Sequence, residues 1–320
     1  MSTVSSRAIG AIVSSFIADA AGLPIHWIYN TKDLQGIVSQ YDKPEFIPEG
    51  KCPYYKVSTG SFSCYGDQAY VVLKSLVANK GLNVDSYKAS MKEFFGPGTA
   101  YDIDHSGPKP INGPWINHSL VTFLENYKEN KEKTGDTGSK DMDGVCKMVP
   151  LVALYAGDPK LMEYVETLVR ITQINETAVK FALAGAKLLE SFILNGRNPK
   201  AVEELMAVTE DPEIKAAMQD VLATKDVSHA EVVQKNGMSC SMPPSFKNSL
   251  HCLLNAKEDY ADSLRPTMVA GGDNCCRLCF AGACLGAQAG ADSFPSDWLS
   301  KTTKGGEVQD LAQELVKLRK

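Results

Sequence analysis

A strong charge of either sign is lacking in this sequence of 320 residues. It has 33 Lys and Arg against 38 Asp and Glu, a formal net charge of −5 at pH 7. A small and scattered acidic excess argues against a nucleic-acid partner, which needs a basic face, and suits a protein that stays dispersed. The apolar fraction of 44% and the charged fraction of 22% are those of an ordinary globular protein.

Signals for export and for membrane insertion are also lacking. Residues 1–20 do not combine a basic start with the long apolar run of a signal peptide. No apolar stretch reaches the ~18 residues expected of a membrane helix. We therefore expect a soluble, cytoplasmic protein without a membrane partner, in which the nine cysteines are reduced thiols.

Several motifs of catalysis and metal binding do not occur. There is no Gly-x-Ser-x-Gly sequence and no glycine loop of the phosphate-binding type. Cys276 and Cys279 form one C-x-x-C, but the second pair of a structural zinc site is missing. Cys275 and Cys279 lie one helical turn apart. Because free cysteine is commonly buried, we predict core thiols, and most of the nine buried.

Helical periodicity is what the sequence has in abundance, whereas convincing alternating strands are absent. Helices are predicted over residues 8–20, 67–80, 114–131, 177–195, 275–288 and 308–318, with a short one after Pro199. Segments 35–66, 97–113 and 129–143 are rich in Gly, Pro, Asp, Ser and Lys and are predicted loops. The sequence thus predicts an all-α fold, a single compact domain over residues 1–320, with its loops at the surface or around a central cleft.

Three single carboxylates stand out. Asp67 and Asp273 each follow glycine at the start of a predicted helix, where an Asp N-cap is common. Asp19 lies among apolar residues. A carboxylate there is destabilising unless it is paired, so we expect a buried Asp19 satisfied by a hydroxyl or an amide. For His26, beside Trp27, we likewise favour a satisfied core residue.

Two pairs of carboxylates have more than one interpretation. Asp102 and Asp104 form one pair, and Asp141 and Asp143 the other. Such pairs can hold a hard cation through oxygen ligands, but they are also ordinary turn chemistry. Neither pair has the spacing of a calcium-binding helix–loop–helix, and we favour turns.

Taken together, these segments resemble the ADP-ribosylglycohydrolase family from residue 8 to residue 290. The matching segments are Gly10-Ala11-Ile12 and Ala18 to Pro24 at the opening Gly-Asp-Ala-x-Gly-x-Pro, Gly66-Asp67-Gln68-Ala69 at the family's Ser/Thr-Asp-Asp-Thr, Gly144 to Leu154 at its middle motif, Gly271 to Cys276 at its Gly-Gly-Asp-x-Asp-Thr, and the small-residue helix from Ala281 to Ala287. The Gly-Gly-Asp helix is the most specific of these.

The resemblance implies an all-α fold with a central cleft that holds two magnesium ions in active members. Those ions polarise the substrate and position water for hydrolysis of a glycosidic bond to ADP-ribose. Of the implied ligands this chain keeps Asp67 and Asp273, but the hydroxyl of the first motif is Gly66 and its second Asp is Gln68. In the last motif the second Asp and the hydroxyl are Cys275 and Cys276.

Charge balance gives these replacements their weight. Two magnesium ions bring four positive charges, and four motif carboxylates have become two. Cysteine is a soft ligand, and magnesium requires near-octahedral oxygen geometry. We therefore expect no catalytic residues and no cofactor. Magnesium binding at low affinity by Asp67 and Asp273 would be a vestige of the metal site.

Within the family, the chain resembles the branch of J-type crystallins from jellyfish eye lenses. Pro24 to Tyr29, Tyr65 to Gln68 and Gly271 to Cys275 carry this resemblance. It implies a structural protein of lens cells that is not an enzyme, with itself or other lens proteins as partners.

Two alternatives stay open at this stage. One is an ADP-ribose-binding protein without catalysis. The other is an active hydrolase that uses one metal, or other ligands drawn from Asp19, Asp102, Asp104, Asp141 and Asp143.

Overall fold

Helices make up most of the computed structural model, which describes residues 3–292 and 294–319. In these residues the helices are α1 Thr3–Gly22, α2 Thr31–Val38, α3 Cys64–Asn79, α4 Val84–Phe95, α5 His118–Lys128, α6 Asp143–Lys147, α7 Val149–Tyr155, α8 Leu161–Arg170, α9 Glu176–Asn195, α10 Ala201–Val208, α11 Pro212–Ala223, α12 His229–Asn236, α13 Pro244–Leu254, α14 Tyr260–Val269, α15 Asn274–Ala289, α16 Ser296–Lys301 and α17 Gly305–Lys317. A 3-10 helix, Leu23–Ile25, and two short parallel strands, β1 Tyr55–Lys56 and β2 Ile111–Asn112, complete the regular structure of this part of the chain. The predicted all-α fold is confirmed.

The core is organised around the contact between α1 and α15. Every residue from 8 to 22 is buried, and so is every residue from 274 to 287. Glycines bring the two backbones together, because a Cβ atom added to Gly286 would lie 2.3 Å from the carbonyl oxygen of Gly10. This contact confirms the predicted close packing of the small-residue helix. It also fixes Asp19 and Asp273, which these helices carry, relative to each other.

One expectation about α1 was wrong. Residues Thr3–Ile25 have a mean hydropathy of 1.7 and are long and apolar enough to cross a membrane, although we expected no such stretch. In the structure the apolar window of this segment is 100% buried inside the protein. Its composition therefore reflects a helix surrounded by other helices on all sides.

The start of α3 differs from the prediction. Asp67 is not its N-cap, because the helix begins three residues earlier, at Cys64. The side chain of Ser63 accepts the backbone N–H groups of Tyr65 and Gly66 and so caps the helix. Asp273 is the N-cap of α15, as predicted, and accepts the backbone N–H of Cys276.

Other differences concern helices that were not predicted or whose bounds differ. Helices that were not predicted are α2, α4, α6 to α8, α11 to α14 and α16, and α2 extends into the predicted loop 35–66. Helix α14 even contains Pro266, a residue that normally interrupts helices. Helix α5 covers only residues 118–128 of the predicted 114–131. Some of these helices do carry an apolar stripe that was overlooked. Helix α8 buries Leu161, Val165, Leu168 and Val169 at helical spacing.

Candidate functional site

Four donors surround the carboxylate of Asp273 at the start of α15. Oδ1 accepts from His26 Nε2 at 2.9 Å and from the backbone N–H of Cys276 at 3.3 Å. Oδ2 accepts from Trp27 Nε1 at 2.8 Å and from the hydroxyl of Tyr65 at 2.7 Å. Asp273 is fully buried. A carboxylate offers about four lone-pair sites, and here four protein donors occupy them.

The sequence builds this pocket with two glycines. Gly271 and Gly272 have φ values of 87° and 66°, which only glycine adopts readily. In this conformation Gly272 exchanges backbone hydrogen bonds with the segment before α2: Trp27 N–H donates to the carbonyl of Gly272, and Gly272 N–H donates to that of Ile28. A Cβ at Gly272 would also lie 2.4 Å from the carbonyl oxygen of Met238. The double glycine therefore brings His26 and Trp27 onto Asp273.

Electrostatics keeps Asp273 ionised. Burial by itself would raise its pKa, but the charge of His26 and the hydrogen bonds of His26, Trp27 and Tyr65 together hold that pKa below its usual range. His26 is buried, and its other ring nitrogen is hydrogen-bonded to the hydroxyl of Tyr55 at 2.7 Å. The expectation of a satisfied core histidine is confirmed.

Asp67 lies in a different environment, on the first turns of α3. Its Oδ2 accepts from the hydroxyl of Tyr101 at 2.6 Å, and the side chain lines a cavity of about 480 Å³. Burial raises the pKa of Asp67 to about 6, against the opposing effects of Tyr101 and Lys304. Asp67 and Asp273 share no hydrogen-bond partner in the described residues.

Asp19 occupies the space beside Gly66, which accounts for the glycine at position 66. Asp19 accepts from the hydroxyl of Ser63 at 2.5 Å and from its backbone N–H at 2.8 Å, which confirms the predicted satisfied carboxylate. A Cβ at Gly66 would lie 2.3 Å from Oδ2 of Asp19 and 2.9 Å from the Cβ of Phe62. A side chain with a hydroxyl therefore has no room at position 66 while Asp19 keeps this position.

Gln68 and Asp143 form a further buried pair. Gln68 Nε2 and Asn117 Nδ2 both donate to Oδ1 of Asp143. Among the described residues, Oδ2 of Asp143 and Oε1 of Gln68 have no hydrogen-bond partner. Burial raises the pKa of Asp143, and it raises that of the half-buried Asp141 to about 6. The side-chain N–H groups of Gln68 and Asn117 thus point at the carboxylate of Asp143.

The other carboxylate pair is turn chemistry, as favoured. Asp102 accepts the backbone N–H of Gly98 at 2.8 Å, and Asp104 accepts that of Ser106 at 2.8 Å. In residues 3–292 and 294–319, no three His, Cys, Asp or Glu side chains are grouped in a way that could hold a metal ion.

The cysteines are free thiols, and all except the half-buried Cys240 are buried, as predicted. The thiol of Cys276 donates to the carbonyl of Asp273 at 3.5 Å, and that of Cys275 to the carbonyl of Asp19 at 3.7 Å. Burial raises the pKa of both thiols well above their ordinary value. At the two replaced motif positions the protein therefore presents neutral thiols that bond to the backbone.

With this geometry in place, comparison with known proteins gives the family. A family model described as ADP-ribosylglycohydrolase matches residues 1–320. This chain belongs to the ADP-ribosylglycohydrolase family. The family match covers the whole chain, including α16 and α17, which lie beyond the resemblance inferred from motifs.

Relatives and solved structures agree with this assignment. Crystallin J1A of Tripedalia cystophora is 40% identical over 315 residues, covering 98% of this chain and 97% of the relative. Crystallin J1B of the same organism is 37% identical over 318 residues, covering 99% and 98%. A solved structure titled "ADP-ribosylglycohydrolase-related protein complex" superposes over the full length of both chains with a TM-score of 0.73 at 17% identity, which shows the shared fold.

Reasoning from sequence missed the partners of the family motifs. His26 and Trp27 reach Asp273 from a position nearly 250 residues away in the chain. Tyr101 reaches Asp67 from a predicted loop. Single-sequence patterns carry no signal for such pairs, because tyrosine and tryptophan are also ordinary core residues.

Proposed function

We propose that this member of the ADP-ribosylglycohydrolase family is a structural crystallin that does not hydrolyse ADP-ribosyl bonds. The observation that carries the proposal is the set of four protein donors on Asp273. A metal ion at this carboxylate would have to displace N–H or O–H groups that point at its lone pairs. The donors of His26, Tyr65 and Cys276 are buried and would be left without acceptors, which is strongly unfavourable.

The rest of the motif chemistry supports the absence of a magnesium pair. Gly66 provides no hydroxyl and Asp19 fills the space where one would stand. Gln68 is engaged with Asp143. Cys275 and Cys276 are buried neutral thiols, a poor match for a hard cation. The residues present do not fit two magnesium ions.

The crystallin role rests on the relatives and agrees with the surface. Crystallins J1A and J1B match this chain over nearly its whole length. In the described residues only Tyr29, Tyr54, Val208 and Val227 are large hydrophobic side chains with high exposure. Scattered apolar residues and a modest net charge favour dispersion in a concentrated solution. Buried thiols resist the oxidation that exposed ones undergo. We place the protein in the cytoplasm of lens cells, with other lens proteins or further copies of itself as neighbours.

Release of ADP-ribose tests the absence of catalysis. The full-length chain is incubated with magnesium and substrates that carry ADP-ribose on arginine and on serine, and free ADP-ribose is measured. We expect release no faster than without protein. The matched variant Asp67→Asn should be indistinguishable from the wild type. Turnover that Asp67→Asn abolishes would overturn the proposal.

Three further measurements test the structural role and the absence of ADP-ribose binding. Antibody labelling of the source animal should find the protein concentrated in lens cells, and light scattering of the purified protein should show no aggregation as its concentration rises. Calorimetry with ADP-ribose should show no heat of binding. A protein confined to tissues other than the lens would contradict the crystallin role, whatever the outcome of the activity assay.

A further inference from the structure

The cavity beside Asp67 is lined with aromatic rings. Its volume is about 480 Å³, within the range typical of small-molecule sites. Phe62, Phe94 and Tyr101 form its walls, and Val57 and Pro114 add apolar surface. The ring centroids of Phe94 and Tyr101 are 6.1 Å apart. The ring of Tyr70 is 6.2 Å from that of Phe62 and 6.0 Å from that of Phe94. Three aromatic rings therefore form walls of the cavity, and Tyr70, which does not line it, packs against Phe62 and Phe94.

A carboxylate faces this aromatic surface. Asp67 lines the cavity and is only partly buried. Tyr101 bonds to its Oδ2, and among the described residues no hydrogen-bond partner is recorded for Oδ1. Glu93 adds a second acidic group at the exposed edge. Aromatic faces and a carboxylate together form the chemistry that recognises organic ammonium ions.

Lys304 shows that these rings already accept an ammonium group. Its Nζ lies 4.2 Å from the centroid of the Tyr70 ring and 5.2 Å from that of Phe94. It makes no ion pair within 4.0 Å among the described residues. The nearby Glu307 is held elsewhere, by the hydroxyl of Tyr70 at 2.6 Å and by Lys74 at 3.9 Å. Lys304 is thus a positive charge at the rim, held by the rings of Tyr70 and Phe94.

We propose that this cavity is a binding site for a small organic ammonium ion, with Asp67 as its counter-ion and Phe62, Phe94 and Tyr101 as its walls. Lys304 is the intramolecular competitor of that ligand, because its ammonium group lies over Phe94, which is one of these walls. The site does not depend on the crystallin role or on the absence of hydrolysis. In this site Asp67 recognises a bulky, weakly hydrated monocation instead of a divalent metal ion.

Choline and its uncharged analogue 3,3-dimethylbutanol test the site. The two have nearly the same shape, but only choline carries a charge. Each is titrated into the full-length protein while chemical shifts of the aromatic and methyl groups near the cavity are followed by NMR. We expect saturable shifts with choline and binding of the neutral analogue weaker by at least about tenfold. Equal binding of the two, or no saturable shift with either, would overturn the proposal.

Variants assign the effect to named residues. Asp67→Asn should weaken choline binding by about tenfold or more, whereas Asp102→Asn, a matched change one residue from Tyr101, should leave it unchanged. Lys304→Met should strengthen binding, because it removes the competing charge and keeps an apolar side chain. A loss of affinity in Lys304→Met would contradict the competition, since a cavity for anions would need that lysine.

One control separates this site from a metal site. Magnesium chloride should compete with choline no better than sodium chloride of equal ionic strength. Selective displacement by magnesium would return Asp67 to metal binding and overturn the ammonium site. The hydrolase assay reports on a different property, so either proposal can fail while the other stands. Circular dichroism of each variant confirms that it is folded.

Discussion

The two carboxylates retained from the family motifs lie in contrasting regions. Around Asp273 the protein is closed, and buried donors use both oxygens. Around Asp67 it is open, with one tyrosine donor and a cavity in front of the side chain. The comparison shows that two aspartates at motif positions can have opposite environments. Asp273 is part of a buried hydrogen-bond network, whereas Asp67 faces a cavity.

Removal of each carboxylate gives the largest expected contrast. Asp273→Ala leaves His26, Trp27 and Tyr65 without their acceptor in the interior, so we expect the free energy of unfolding to fall by roughly 3–5 kcal/mol. Asp67→Ala removes one hydrogen bond at the wall of a cavity and should change it by no more than about 1 kcal/mol. Urea denaturation of both variants measures the difference. Similar losses would show that the two regions are equally important for folding.

The helix contact behind Asp273 gives the next largest effect. Gly286→Ala places a methyl group against the backbone of Gly10, and we expect a loss of roughly 2–3 kcal/mol in the free energy of unfolding. Gly36→Ala is the matched control, since no atom lies within 4 Å of the new Cβ in the exposed helix α2. There the same change should stabilise the protein by about 0.5–1 kcal/mol. Denaturation curves that show equal effects would mean that α1 and α15 do not meet through these glycines.

Asp19 connects the two regions through α1 and provides a smaller effect that depends on pH. Burial raises its pKa to about 7 from 3.8, against the hydrogen bonds of Ser63. The folded state therefore binds a proton more tightly than the unfolded state, and the stability due to this group rises as pH falls from about 7 toward about 4. Between about pH 7.5 and pH 5, the wild type should gain more than about 1 kcal/mol relative to Asp19→Asn.

The difference between the two proteins isolates Asp19 from other titrating groups. His229, whose pKa burial lowers to about 3, loses protons on folding and acts in the opposite direction. It does so equally in the wild type and in the variant, so its contribution cancels. A difference in unfolding free energy that stays constant with pH would show that Asp19 is ionised in the folded protein throughout this range.

The smallest expected difference concerns the reactivity of the cysteines, and it involves no change in stability. Cys240 is half-buried, whereas the other eight cysteines are buried. Under native conditions we expect a thiol reagent to modify at most Cys240, and all nine residues after unfolding. Mass spectrometry of the labelled protein locates the adducts. Rapid labelling of Cys275 or Cys276 in the native protein would show that the region around Asp273 opens, contrary to its closed structure.

The sequence predicted those parts of the fold that carry their own local signals. Helices α9 and α15 have apolar periodicity and end at glycine, and both were located within one residue at each end. The start of α3 was missed because two plausible caps, Ser63 and Asp67, lie four residues apart. Propensity alone does not decide between them.

The assignment of Asp67 and Asp273 as a vestige of the metal site stays a prediction, and the hydrogen-bond partners of the two residues were not predicted. Motif comparison identified Asp67 and Asp273. It could not show that Tyr65 donates to Asp273 from over 200 positions away, or that Gln68 turns toward Asp143. Those contacts depend on how α3, α6 and α15 pack together, which no local pattern encodes.

The contact between Gly66 and Asp19 also limits which residues position 66 can accept. A hydroxyl residue at position 66 would collide with Asp19, which already occupies that volume, and could not reach the position of a metal ligand. Asp19 in turn is held by Ser63, so its displacement would disturb the helix start that Ser63 caps. A hydroxyl residue at position 66 is therefore expected to lower the stability of the fold unless Asp19 changes with it.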